Sequence, residues 1–271
     1  MESCHLSGNF RNTVNLPEGV AKTADSGFSW ISTHFSNSKN KFNDTAVKEL
    51  SNLVLSHLYW TYPQISFLYM HMLLSKQQAD GSFGDVRETS RAVSCLSTVL
   101  FNFQNHFDNN DMKKSKASAI SYLLTQKKMW SELDDIYNTA YVLSALADAE
   151  IFQEEICLEL CKRDLPEWKH PGTTALIITA LQKQKKLGLF NEEADFMIFE
   201  FISKKIDWLM SVCDEGHWKY TASSCLVLNS LMICNQKFET KDSFLWLLNA
   251  QKENGSWEND LNTTALSLLT L

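Results

Sequence analysis

Three aspartates and two histidines recur at one position of a repeated pattern, and they are the first residues to test for chemistry. Asp85, Asp135, His170, His217 and Asp260 each stand four residues before a threonine (Thr89, Thr139, Thr174, Thr221, Thr264). Each threonine is followed by Ala or Ser, and a leucine comes seven residues after it. Glu88 and Asp134 lie beside two of these positions. A carboxyl group withdrawn from water beside a second carboxylate holds its proton and can act as a general acid. Glu88, Asp134 and Asp135 are the acid candidates on that ground. Arg87, His170 and His217 are candidates to bind a ligand head group. Aromatic faces stabilise cations, and Trp60, Tyr137 and Tyr220 are the aromatics assigned to a binding cavity. Phe83, Trp218 and Trp257 hold a repeated turn position and read as packing. The plainer reading of the five repeated residues is that they cap helices.

The starts of the pattern lie 35 to 50 residues apart, a period that signals a repeat architecture. Each copy opens an apolar stretch with helical spacing. An aspartate is a good cap for such a helix, and Pro171 after His170 suits a first turn. Amphipathic segments lie between the copies at about 64–77, 114–127, 151–162, 192–211 and 240–251. Two of them run into a similar turn, Gln77-Gln-Ala-Asp-Gly81-Ser-Phe83 and Gln251-Lys-Glu-Asn-Gly255-Ser-Trp257, with Gly216-His-Trp218 as a partial third. Glycine supplies the positive φ such turns need. The unit is therefore an outer amphipathic helix, a turn and a more buried inner helix. No strand-type alternation persists, so the fold class is all-α, with five or six helical hairpins stacked as a solenoid or closed as an α/α toroid. Residues 45–60 read as a further helix at the head of the repeat domain, 45–271. Residues 1–44 are polar without periodicity and read as an arm or disordered leader. The chain ends inside the last inner helix, so either that helix completes the ring or a longer protein continues.

The net charge of −7 argues against a nucleic-acid surface. No apolar run is long enough to span a membrane, and the first residues lack a secretory h-region, so a cytoplasmic location is expected. Seven cysteines without framework spacing suggest reduced, mostly buried thiols, and Cys157 with Cys161 lacks the histidines of a zinc site. His106-Phe-Asp108-Asn-Asn-Asp111 reads as a polar linker, and Lys183–Lys186 as a solvated helix end.

The Gln-xxx-Gly-x-aromatic turn followed by Asp-xxx-Thr-Ala resembles the repeat of the terpenoid cyclase and protein prenyltransferase superfamily over about 64–271. The turns resemble squalene–hopene and class II diterpene cyclases. Gln77 to Leu96 and Asp135-Ile-Tyr-Asn-Thr-Ala-Tyr-Val-Leu resemble prenyltransferase β subunits. The resemblance implies an α/α toroid. It also implies a catalytic Asp two residues before the threonine, where this chain has Arg87, Tyr137, Gly172, Lys219 and Asn262. Glu132-Leu-Asp-Asp135 is similar to the acidic motif but is three residues out of register. The prenyltransferase zinc histidine would stand one residue before the threonine, where this chain has Glu88, Asn138, Thr173, Tyr220 and Thr263, and the Asp-x-Cys is missing. The Cys-Gly-Glu-Gln of toroidal thioester domains is also missing. No metal or cofactor is expected. Two readings follow. One is a cyclase-like protein with an apolar central cavity that acts on or binds an isoprenoid or similar hydrophobic small molecule. The other is a non-catalytic toroid that binds a ligand or a protein partner, or a fragment of a larger cyclase or thioester-type protein.

Overall fold

The computed structural model describes residues 18–36, 44–60, 62–103, 109–163, 165–235 and 241–271. Among the described residues the chain is helical throughout. Its α-helices are α1 (Glu18–Ser36), α2 (Val47–Tyr59), α3 (Pro63–Ser75), α4 (Val86–Asn102), α5 (Asn109–Thr125), α6 (Lys127–Ser131), α7 (Ile136–Asp148), α8 (Glu154–Arg163), α9 (Pro171–Lys186), α10 (Glu192–Ser211), α11 (Thr221–Ile233), α12 (Lys241–Asn249) and α13 (Leu261–Thr270). No helix among these residues is long and apolar enough to cross a membrane.

Together with α2, the helices opened by the repeated pattern form the inner layer. α2 packs against α4, α4 against α7, α7 against α9, α9 against α11, α11 against α13, and α13 back against α2. Each buries small or branched apolar residues on most sides, as in Ala140, Val142, Leu143, Ala145 and Leu146 of α7. The helices between them pack on the outside: α3 on α2, α5 on α4, α10 on α9 and α12 on α11. The turn glycines set how closely this layer approaches. Gly81, Gly216 and Gly255 all have positive φ. A Cβ on them would strike, in turn, the backbone of Ser118 in α5, of Asp242 and Ser243 in α12, and of Ser26 in α1.

α1 overturns the expectation for residues 1–44 over 18–36. It is a regular helix whose Ala24, Ile31 and Phe35 are buried, and it packs on α12 and α13. Its serines and threonines hid the apolar stripe. Ser26, Thr33 and Ser36 bond to the carbonyls of Lys22, Ser29 and Ser32 within the helix, so their polarity does not compete with helix formation. Gly27 lies against Leu268 and Trp257, where a side chain would crowd the contact.

Phe83, Trp218 and Trp257 are buried, as packing residues at the repeated turn position should be. The indoles of Trp130, Trp218 and Trp257 are buried, and each donates at 2.8 Å to a carbonyl of the preceding outer helix, at Leu123, Leu209 and Leu247. Of the cysteines, Cys95, Cys157 and Cys225 are buried and unbridged, and burial pushes the Cys225 thiol up to about 11. Cys4, His106 and Asp108 lie outside the described residues.

Candidate functional site

The inner-helix N-termini share one end of the molecule, as a chain of neighbouring contacts shows. The Lys48 amide of α2 donates to Glu88 of α4 at 2.7 Å, and Arg87 reaches Asp135 at the start of α7 at 2.5 Å. The Thr173 hydroxyl of α9 donates to Tyr137 at 2.8 Å, and Gly172 lies against Ser223 of α11. The Thr221 amide donates to Glu258 in the turn before α13, and Asn52 of α2 bonds Asn262 of α13 at 3.1 Å. Six helix N-termini therefore lie at one end of the molecule, with their positive dipole ends there.

Three of the five repeated residues are caps. Asp85 accepts from the Glu88 amide at 2.8 Å, Asp135 from the Tyr137 and Asn138 amides, and Asp260 from the Thr263 amide at 2.7 Å. His170 holds the N-cap position without a side-chain cap bond. His217 does not hold it at all: α11 starts three residues later, with Tyr220 as N-cap. The expected fourth copy was thus shifted by one helical turn. The residue matching Thr89, Thr139, Thr174 and Thr264 is Ser224, not Thr221. The Trp218 amide donates to Ser224 Oγ at 2.9 Å, as Phe83 does to Thr89 and Trp257 to Thr264. In this register the positions two and one before the hydroxyl become Ala222 and Ser223, neither acidic nor metal-binding.

The best-built polar cluster joins α4 and α7. Arg87 donates from Nη2 to Asp135 and from Nε to Asn138 at 2.8 Å, with its guanidinium 5.6 Å from the Tyr137 ring centre. One turn deeper, Arg91 donates to Glu88 at 2.6 Å and lies 4.3 Å from the centre of the Tyr141 ring. Both Glu88 oxygens are engaged, Oε1 by Arg91 and Oε2 by the Lys48 amide. The Arg87–Asp135 pair is open to solvent, whereas Arg91 and Glu88 are about three-quarters covered. The candidates Arg87, Glu88, Asp135 and Tyr137 therefore come together. Arg91 and Tyr141 complete the cluster and escaped sequence reading, although the i,i+4 spacing of Arg87 with Arg91 and of Tyr137 with Tyr141 puts each pair on one helical face.

The other candidates stand apart. Asp134 is exposed. The His170 and His217 Nδ1 atoms are buried without a hydrogen-bond partner. The His217 ring stacks on Trp246 at 4.6 Å. Tyr220 is half exposed, beside the Lys219 ammonium. Trp60 caps the C-terminal end of α2, opposite the helix N-termini, where its indole donates to the Leu268 carbonyl at 2.7 Å and anchors α13. Further along the inner helices polar and apolar positions mix: Lys183 pairs with Asp148 at 2.7 Å and Asn229 donates to Thr270, while Leu55, Leu100, Leu176 and Leu226 are half-buried. No group of three or more His, Cys, Asp or Glu among the described residues is arranged to hold a metal ion. The sequence matches no protein-family model, and no curated protein is similar enough to count as a relative.

Proposed function

We propose that this chain is an α/α toroid of the terpenoid cyclase and prenyltransferase kind that binds, without cyclising, an isoprenoid or similar hydrophobic ligand with an anionic head group. The return of α13 onto α2 supports the toroid, as does the sharing of one mouth by the inner-helix N-termini. The observation that carries the binding role is the occupancy of the mouth carboxylates. Asp85 and Asp260 are helix caps, Asp135 is a cap paired with Arg87, and Glu88 is held by Arg91 and a backbone amide. A cyclase acid must present its proton to the substrate, and these groups accept hydrogen bonds instead. Two guanidiniums beside tyrosine rings, with helix N-termini around them, are suited to an anion. The head group would exchange with Asp135 for Arg87, and the apolar tail would pass between the inner helices.

Incubation with farnesyl diphosphate, geranylgeranyl diphosphate and squalene tests the reading. The expected result is calorimetric binding of a diphosphate, weakened at least tenfold in Arg87→Ala and Arg91→Ala, with no new product by mass spectrometry. A cyclised product that disappears in Glu88→Gln or Asp135→Asn would overturn the binding role. No binding of any of the three would overturn the ligand class.

A further inference from the structure

A cavity lies away from the Arg87–Asp135 cluster, where α1 and α3 meet over the C-terminal turn of α2. Its volume is about 390 Å³, within the range of small-molecule sites. Asp25, Phe28 and Phe35 line it from α1, His57 from α2, and Tyr62 and Tyr69 from the start and middle of α3. Its rings form a connected set of walls. Phe28 meets His57 at 4.6 Å and Tyr62 at 5.1 Å between ring centres, and Tyr69 meets His57 at 5.1 Å and Phe35 at 5.6 Å, all inclined rather than stacked. Aromatic rings inclined to one another in this way offer π-faces as well as edges to a ligand. Among the described residues Asp25 is the one carboxylate of the lining, and no lysine or arginine lines it. Its contact to the Tyr62 hydroxyl is long, at 3.4 Å, which leaves the charge available to a ligand. Ile65 and Leu68, both about half exposed, form an apolar lip beside Tyr62.

We infer that this cavity is a binding site for a small organic ammonium: a primary to quaternary amine on an apolar body, with the cation among the rings of Phe28, Tyr62 and Tyr69 and near the Asp25 carboxylate. The chemistry selects that class. π-faces attract a cation and gain little from an anion, and the Asp25 carboxylate supplies the matching charge. His57 adds no competing positive charge near neutrality, because burial holds its imidazole down at about 4. The site does not depend on the function proposed for the mouth, which it does not touch.

Titration calorimetry of the full chain with benzyltrimethylammonium, benzyl alcohol and benzoate tests the inference. The ammonium is expected to bind at least tenfold more tightly than the alcohol, and benzoate not at all. Asp25→Asn should remove most of that preference while the protein keeps its circular dichroism and melting temperature. Leu68→Arg, on the exposed lip, should abolish ammonium binding without affecting the fold. Equal affinity for the ammonium and the alcohol would overturn the proposal. So would binding that survives Leu68→Arg, or no ammonium binding to the folded wild type.

Discussion

The Gln251 side-chain amide donates to the backbone carbonyl of Thr23 at 2.8 Å, across 228 residues of sequence. The same nitrogen also reaches the Gly255 carbonyl of its own turn at 2.9 Å. Gln77 makes the equivalent pair, to Gly81 of its turn and to Ser115 of α5, both at 2.9 Å. In each case the glycine then abuts the backbone three residues further along the partner helix, at Ser118 or Ser26. α1 therefore docks on the last repeat by the joint that the first repeat uses for the outer helix following it. Against the last repeat, α1 takes the outer place that α5 takes against the first.

This joint fixes what its loss should do. Gln251→Leu removes two hydrogen bonds from a half-buried site, a loss of about 1–3 kcal/mol. Hydrogen exchange should then rise selectively in 18–36. Gln77→Leu should instead raise it in α5. Gly255→Ala should act like Gln251→Leu and more strongly, because the residue has φ near +90° and its Cβ would collide with Ser26. Unchanged protection of α1 in both variants at position 251 and position 255 would show that the joint does not hold it.

The inner helices were legible because their period was reinforced by capping chemistry: Asp85, Asp135 and Asp260 are aspartates that also look like caps in the sequence. α1 was not legible, because Ser and Thr interrupt its apolar stripe and Gly27, a close-packing residue, reads as a helix breaker. The fourth repeat was misplaced because His217-Trp-Lys-Tyr-Thr221-Ala imitates the pattern while the turn ends three residues later. Of the mouth cluster, the residues next to the repeated positions were readable. Arg91 and Tyr141 were not, since their partners belong to a neighbouring helix and no local spacing announces them.

The corrected register can be tested by removing one hydroxyl at a time. Ser224 Oγ accepts from the Trp218 amide and donates to the Tyr220 carbonyl, and the residue is fully buried. Ser224→Ala leaves a buried amide unpaired and should cost about 1–3 kcal/mol. Thr221→Val, at the threonine of the misplaced register, should cost clearly less in the same urea titrations. The reverse order would restore His217 to the capping position.

Stability should fall with acid partly through His57. The imidazole is buried beside Phe28 of α1 and Tyr62 and Tyr69 of α3, with Asp25 lining the same cavity; its Nδ1 is 2.8 Å from the Leu53 carbonyl. Burial lowers its folded pKa to about 4 from the ordinary 6.5. The unfolded chain therefore takes up the proton first as pH drops. The contribution is complete above pH 6.5 and is lost as pH falls from there through 4, by on the order of 3 kcal/mol. Denaturant titrations at pH 7.5 and 4.5 should show this loss in the wild type and a smaller one in His57→Leu. An equal acid loss in both would mean that His57 is not a source of the effect.

Asp135 has two structural duties, and substitutions separate them. As a cap it accepts from the Tyr137 and Asn138 amides, and as a counter-ion it meets Arg87. Asn at this position keeps an acceptor for the amides and loses only the charge. The pair is more than a third exposed on both sides, so its charge contributes less than about 1 kcal/mol. Loss of the cap costs about 1–2 kcal/mol. Asp135→Ala should therefore destabilise the protein more than either Asp135→Asn or Arg87→Ala, and Asn should remain near wild type in melting temperature. If Asn and Ala destabilise equally, the guanidinium rather than the helix terminus is what Asp135 serves.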